Sequence, residues 1–116
     1  MLALSIVSPG GRRIASGNKT IEVRSWHPGE LPLRNLLIVE NSVYLSSEHP
    51  EDPNGRAVAL VDVIGVHNWH ESEVEAACSS GWQDGYLAWV LANVRPLVGS
   101  EVVPARLRLY EVEFRL

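Results

Sequence analysis

The sequence predicts a small α+β domain, mainly β: a barrel of about six strands decorated by two or three short helices. Three observations lead there. Residues 20–24 alternate strictly between apolar and polar side chains. Near-continuous apolar runs occupy 2–7, 36–39 and 57–66, each of strand length. Turn-forming clusters such as Ser16-Gly17-Asn18 and Pro28-Gly29 separate them. At 116 residues with a hydrophobic fraction of 46%, the chain has the length of one domain and enough apolar side chains for a core.

The elements follow in order. Residues 2–7 read as a mostly buried strand. Ser8-Pro9 then signals a helix over 9–15, with Ser8 as N-cap and proline in the first turn. Gly10 and Gly11 weaken that helix by roughly 2 kcal/mol against alanine. They serve either close packing on the sheet or the approach of an anion to free N–H groups. Ser16-Gly17 ends the helix, and residues 20–24 form the next strand. Its Ile21 and Val23 lie on one face and Thr20, Glu22 and Arg24 on the other, with Lys19 at its head. A solvated face with charges paired along the strand accounts for this row as readily as a binding site does.

Residues 26–32 are a turn-rich loop in which Trp26 either caps the barrel or offers a stacking face. The strand at 36–39 ends at Glu40-Asn41. Residues 46–55 are acidic and proline-rich, an exposed loop in which His49 is solvated. The longest strand spans 56–66, and Asp62 interrupts its apolar run. A buried carboxylate needs partners, and backbone N–H groups or an arginine are the expected ones. After a polar loop, Ser72-x-x-Glu75 matches a capping box opening a helix through about residue 79. His67 and His70 stand three apart, but no cysteine or third histidine accompanies them, so the reading assigns no metal and no cofactor. Residues 81–85 turn, 87–94 form a strand, and 105–116 form the last one. There the apolar face switches midway, which calls for a bulge or a barrel corner.

Composition bounds the function. A net charge of −4 argues against sequence-blind binding along a phosphate backbone, while leaving room for a local basic cleft. No apolar run reaches the roughly 20 residues that cross a bilayer, and residues 1–7 read as a first strand, not a signal peptide. The lone Cys78 excludes an internal disulfide and fits a cytoplasmic protein.

Gly17-x-Lys19-x-x-Glu22-x-Arg24 resembles the GxKxxExR signature of ASCH domains, small β-barrels of the PUA-like superfamily. The resemblance runs almost the full chain. Leu4-Ser5-Ile6 with its proline-opened helix, the strand at 57–66, Trp89 and Asn93-Val94-Arg95-Pro96-Leu97, and Leu109-Tyr110-Glu111-Val112 stand where the family has matching segments. Gly10-Gly11 replaces a bulky aromatic and alanine common in the family. Arg106-Leu107-Arg108 stands where a lysine-glycine pair is frequent.

The resemblance implies binding of RNA or a nucleoside-like ligand in a cleft lined by the signature. Gly17, Lys19, Thr20, Glu22, Arg24 and Trp26 are the expected contacts, with Trp26 or Trp69 for stacking. It also implies an alternative. Some members are amidohydrolases that remove acyl groups from the exocyclic amine of cytidine with a threonine, a lysine and a glutamate. Lys19 matches the lysine, and the threonine position is occupied by Glu22. The glutamate has candidates in Glu71, Glu73 and Glu75. Lys19 and Glu22 are then the expected catalytic pair, Glu22 as base on a water and Lys19 at the oxyanion or leaving amine. A ribonuclease is a more distant form of the same idea. A carboxylate beside two cations suits the acceptance of a base amine better than it suits proton abstraction.

Overall fold

The computed structural model describes residues 1–99 and 101–115. The chain runs β1 (Leu2–Val7), α1 (Gly10–Ala15), β2 (Ile21–Arg24), β3 (Leu33–Asn41), β4 (Glu51–Asp52), β5 (Arg56–Asn68), a 3-10 turn (Glu71–Glu73), β6 (Leu87–Pro96), β7 (Ala105–Arg106) and β8 (Leu109–Glu111). Six strands form one sheet in the order β2-β6-β5-β3-β1-β8, curled into a half-barrel, and β4 pairs with β7 beside it. All neighbours are antiparallel except β1 and β3, which run parallel.

The apolar runs are near-continuous because both faces of the sheet are covered. Leu4, Leu36, Ile38, Val61, Val63 and Trp89 form one core with Ile14 of α1. Ala3, Leu37, Val39 and Leu60 face the other way, onto Val103, Ala105 and Tyr110. Alternation along β3 puts Leu36 and Ile38 in one layer and Leu37 and Val39 in the other.

The glycines of α1 are packing glycines. A Cβ on Gly11 would stand 2.9 Å from Glu40 Cβ and 3.1 Å from Val58 Cγ2, and one on Gly10 only 2.5 Å from Ile6 Cγ2. Ser8 does not cap the helix: its Oγ accepts from Arg12 Nη2 at 3.0 Å. Glu40 of β3 takes the capping role instead, accepting the Arg12 N–H at 2.8 Å.

Asp62 has the partners its burial demands. It is 3% exposed and accepts from the Asn35 N–H (3.0 Å), Arg95 Nη2 (2.9 Å), Arg34 Nη1 (3.2 Å) and Asn93 Nδ2 (3.2 Å). The Asn35 N–H above all, with Asn93 and the two guanidiniums, holds its carboxyl below the usual range against the opposing effect of burial.

Three expectations need correction. The helix expected over 72–79 does not form. The capping box is His70 with Glu73, and it opens only the 3-10 turn. Beyond it the N–H groups of Ala77, Cys78 and Ser79 donate to the carbonyls of Glu73, Glu75 and Val74, at spacings of four, three and five residues that build turns and no helix. The Ala76 carbonyl accepts from Thr20 (2.9 Å) and Ile21 (3.2 Å), and the Ala77 carbonyl from Lys19 Nζ. Cys78 then takes a left-handed conformation (φ 52°). Among the described residues there are therefore one α-helix and one 3-10 turn. The loop at 46–55 includes a short strand, β4, because Glu51 and Asp52 pair with Arg106 and Ala105. The final strand is split into β7 and β8 by Leu107-Arg108, with Arg108 at φ 59°, which is the physical form of the switching apolar face; Leu116 lies outside the described residues. No helix among the described residues is long and apolar enough to cross a membrane.

Candidate functional site

The half-barrel leaves a seam. β2 is one edge of the sheet, and near the other edge β8 pairs with β1 only through Leu2–Leu4. Beyond Leu4, β1 has no strand partner on that side among the described residues, and the sheet curls until β2 comes round to it. Arg24 bridges the gap, its Nη2 donating to the Ser5 carbonyl at 2.9 Å. The seam opens as a cleft of about 470 Å³, lined by Ser5–Gly10, Arg13, Lys19, Glu22–Arg24, Asn41, Tyr44, Leu45, Ala77, Cys78, Arg106 and Leu107.

The polar face of β2 is turned into the fold, not toward solvent. Glu22 is the register partner of Trp89, so both point to the side that holds the α1 core. Ile21 lies on the opposite face, where Trp69 and Ala77 cover it. The result is a buried ion triad. Glu22 Oε1 lies 3.2 Å from Lys19 Nζ, and Oε2 accepts from Arg24 Nε at 2.7 Å. The Lys19 and Glu22 side chains are 10% and 8% exposed. Lys19 Nζ also donates to the Ala77 carbonyl at 2.6 Å, which fixes the ammonium in the cleft wall.

A second chain of hydrogen bonds supports β1 beside the triad. The Arg106 N–H donates to Ser5 Oγ (3.0 Å), and Tyr110 OH donates to the Pro104 carbonyl (2.9 Å). Ser5 Oγ–H is thereby directed onto Tyr110 OH, 2.9 Å away. The serine proton is committed to structure, and burial pushes the Tyr110 hydroxyl above its usual range despite the Ser5 bond.

The charge balance of the cleft is opposite to that of the chain. Among the described residues, Arg13, Lys19, Arg24 and Arg106 line it against the single carboxylate of Glu22, on a protein of net charge −4. Arg106 is shared with Glu51 at 3.2 Å, whereas Arg13 is exposed and pairs with no carboxylate among the described residues. Two further groups have unused capacity. Asn41 Nδ2 donates to the Val43 carbonyl, which leaves Oδ1 buried with no partner among the described residues. Tyr44 is 80% exposed.

Of the residues expected from the sequence, the structure brings Lys19, Glu22 and Arg24 together in the cleft. Gly17 (φ 86°) makes the turn that leaves α1, and Thr20 is exposed beyond the cleft lining, its carbonyl accepting the Leu91 N–H at 3.0 Å. Trp26 packs edge-on against Trp89 (4.9 Å between ring centres, 89°), and the Arg108 guanidinium covers its ring at 4.2 Å. Trp69 is buried beside Trp82. Neither indole lines the cleft; its aromatic ring is Tyr44. Glu71, Glu73 and Glu75 are likewise absent from the lining. Ser5, Arg13, Asn41, Tyr44 and Arg106 were not anticipated. One signal was available: Ser5 is the polar interruption of an otherwise apolar β1, as Asp62 is of β5.

The comparisons with known proteins agree with this architecture. The chain is similar to the crystal structure of an ASCH protein from Zymomonas mobilis, with a TM-score of 0.56 at 16% identity over 91% of this chain and 73% of the other. Two variant structures of that protein each give a TM-score of 0.50, at 14% and 13% identity. At such identities the likeness concerns the fold. No curated protein matches the sequence. The sequence model of the ASCH domain matches residues 4–99, most of the half-barrel and both walls of the seam, and the chain belongs to the ASCH domain family.

Proposed function

We propose that this ASCH domain binds RNA or a modified nucleoside in the seam cleft, reading it without chemical turnover. The observation that carries this reading is the buried Lys19-Glu22-Arg24 triad in a cleft whose cations outnumber its anions on an acidic protein. Lys19, Arg24 and Arg13 meet phosphate or carbonyl oxygens, and Tyr44 offers a ring for a base to stack on. Asn41 Oδ1 and Glu22 are acceptors suited to an exocyclic amine.

Hydrolysis of an acylated cytidine fits less well. A general base must be able to reach a water, and each oxygen of Glu22 is already held by a cation. Glu22 stands at the threonine position of the known amidohydrolases. Among the described lining residues there is no second carboxylate to take the glutamate role. The test is incubation with acetylated cytidine and other acylated nucleosides, following free nucleoside by chromatography, with melting of the protein recorded in parallel. Binding without turnover raises the melting temperature in proportion to the logarithm of ligand concentration. Turnover that disappears in Lys19→Ala would replace this reading with the amidohydrolase.

A further inference from the structure

The pair His67-x-x-His70 lacks a third ligand when read along the chain; the fold supplies one. His67 stands near the end of β5, held by its pairing with Ala88. The chain then turns back through the 3-10 turn and brings Glu73 beneath both rings. His67 Nε2 lies 2.8 and 3.0 Å from the two Glu73 oxygens. The His67 and His70 rings face each other with centres 5.6 Å apart. One donor atom from each of the three residues lies within 4.8 Å of the others.

We propose that His67, His70 and Glu73 form a site for one borderline transition-metal dication, with Zn2+ as the reference ion. Two imidazole nitrogens and a carboxylate are the donor set such ions prefer, and hard cations such as Mg2+ do not. Zinc bonds of about 2.0–2.1 Å place tetrahedral ligand atoms about 3.4 Å apart. The His67–Glu73 separation, at 2.8 and 3.0 Å, opens by only about half an ångström to reach it. The rest is a closure of at most about 1.4 Å, within reach of a rotation of the exposed His70 ring.

The surroundings are those of an oriented ligand. The His70 N–H donates to Glu73 Oε1 at 3.0 Å, and Trp69 Nε1 reaches the Glu73 carbonyl at 3.4 Å, while the Trp69 N–H is anchored on the Tyr86 carbonyl at 3.0 Å. The ion exchanges the hydrogen bonds of this cluster for coordination bonds. Three protein ligands leave a position for water. It also fixes the start of the segment whose Ala77 carbonyl holds Lys19.

The experiment is calorimetric titration of ZnCl2 into the untagged, chelator-treated chain. Wild type binds one equivalent saturably, His70→Ala and Glu73→Gln bind at least tenfold more weakly, and His49→Ala and Cys78→Ser bind as wild type does. His70→Ala removes an exposed ring with its capping contact and keeps the backbone N–H, so without metal its melting temperature falls by only a few degrees and the chain stays folded. This keeps the test decisive even if Glu73→Gln fails to fold. Absence of saturable binding, equal affinity in His70→Ala, or loss of binding in Cys78→Ser overturns the proposal, the last by placing the ion on the thiol.

Discussion

Replacing Glu22 by glutamine keeps the shape of the triad and removes its only anion. Lys19 and Arg24 then face each other across a neutral amide that can accept from one of them and must present its NH2 to the other. Their side chains are 10% and 23% exposed, so water recovers little of the lost stabilisation. Removing one partner from a buried ion pair costs about 3–5 kcal/mol. That is a large share of the roughly 5–15 kcal/mol that stabilises a domain. Lys19→Met is milder, because Glu22 keeps Arg24, although Glu22 Oε1 and the Ala77 carbonyl both lose the ammonium. Urea unfolding followed by tryptophan fluorescence measures both variants, with the slope of free energy against urea unchanged. At roughly 4 °C per kcal/mol for a domain of this size, Glu22→Gln lowers the melting temperature by at least about 12 °C. A loss below about 1 kcal/mol, the range of exposed pairs, would refute the buried triad. So would a Lys19→Met variant less stable than Glu22→Gln.

Two further predictions concern the frame around the cleft. Asp62→Asn costs about 2 kcal/mol at neutral pH, a value kept modest because Arg34 and Arg95 are partly exposed and can turn to water. Because the folded Asp62 carboxyl lies below its ordinary value of 3.8, its contribution is complete above that pH and fades as pH falls through the folded value. Unfolding curves of wild type and variant therefore converge in acid, and a difference independent of pH would contradict the assignment. Gly11→Ala pushes α1 off β3 and β5 and destabilises by about 1–3 kcal/mol, measured by thermal melting. A neutral or stabilising result would mean that the helix packs more loosely than 2.9 Å from Glu40 allows.

Local pattern carried the strands and the polar row of β2. The alternation in 20–24 located β2, and the polar interruption at Asp62 announced a buried carboxylate with arginine and backbone partners. The direction in which β2 turns its polar row was not legible. It depends on Glu22 sharing a face with Trp89 and on the 69–77 segment covering Ile21, both set by pairings across more than forty residues. The helix expected at 72–79 failed because the N–H groups of Ala77, Cys78 and Ser79 reach back four, three and five residues, a mixture of turns and not a helical ladder. Ser72-x-x-Glu75 and His70-x-x-Glu73 compete within one short stretch, and the sequence does not rank them. Whether Trp26 caps the barrel or offers a stacking face was not legible, because nothing local reveals that Arg108 covers its ring. Tyr44 and Asn41 were invisible as site residues because their place in the cleft comes from where β3 ends beside β1, not from any motif.

The central claim is that the seam cleft recognises a nucleic-acid ligand through a few cations. The direct measurement is fluorescence titration of a short single-stranded RNA against wild type and Arg13→Ala over a series of salt concentrations. Arg13 is the variant of choice because it is exposed and makes no ion pair among the described residues, so the fold is undisturbed. With contacts from Arg13, Lys19 and Arg24, log affinity falls against log salt with a slope of about −2, at roughly 0.7 per phosphate. Arg13→Ala weakens binding and brings the slope to about −1.4. Saturable binding with those two slopes is the predicted result. A slope several times steeper, or one that Arg13→Ala leaves unchanged, would place the RNA elsewhere on the protein and contradict the account.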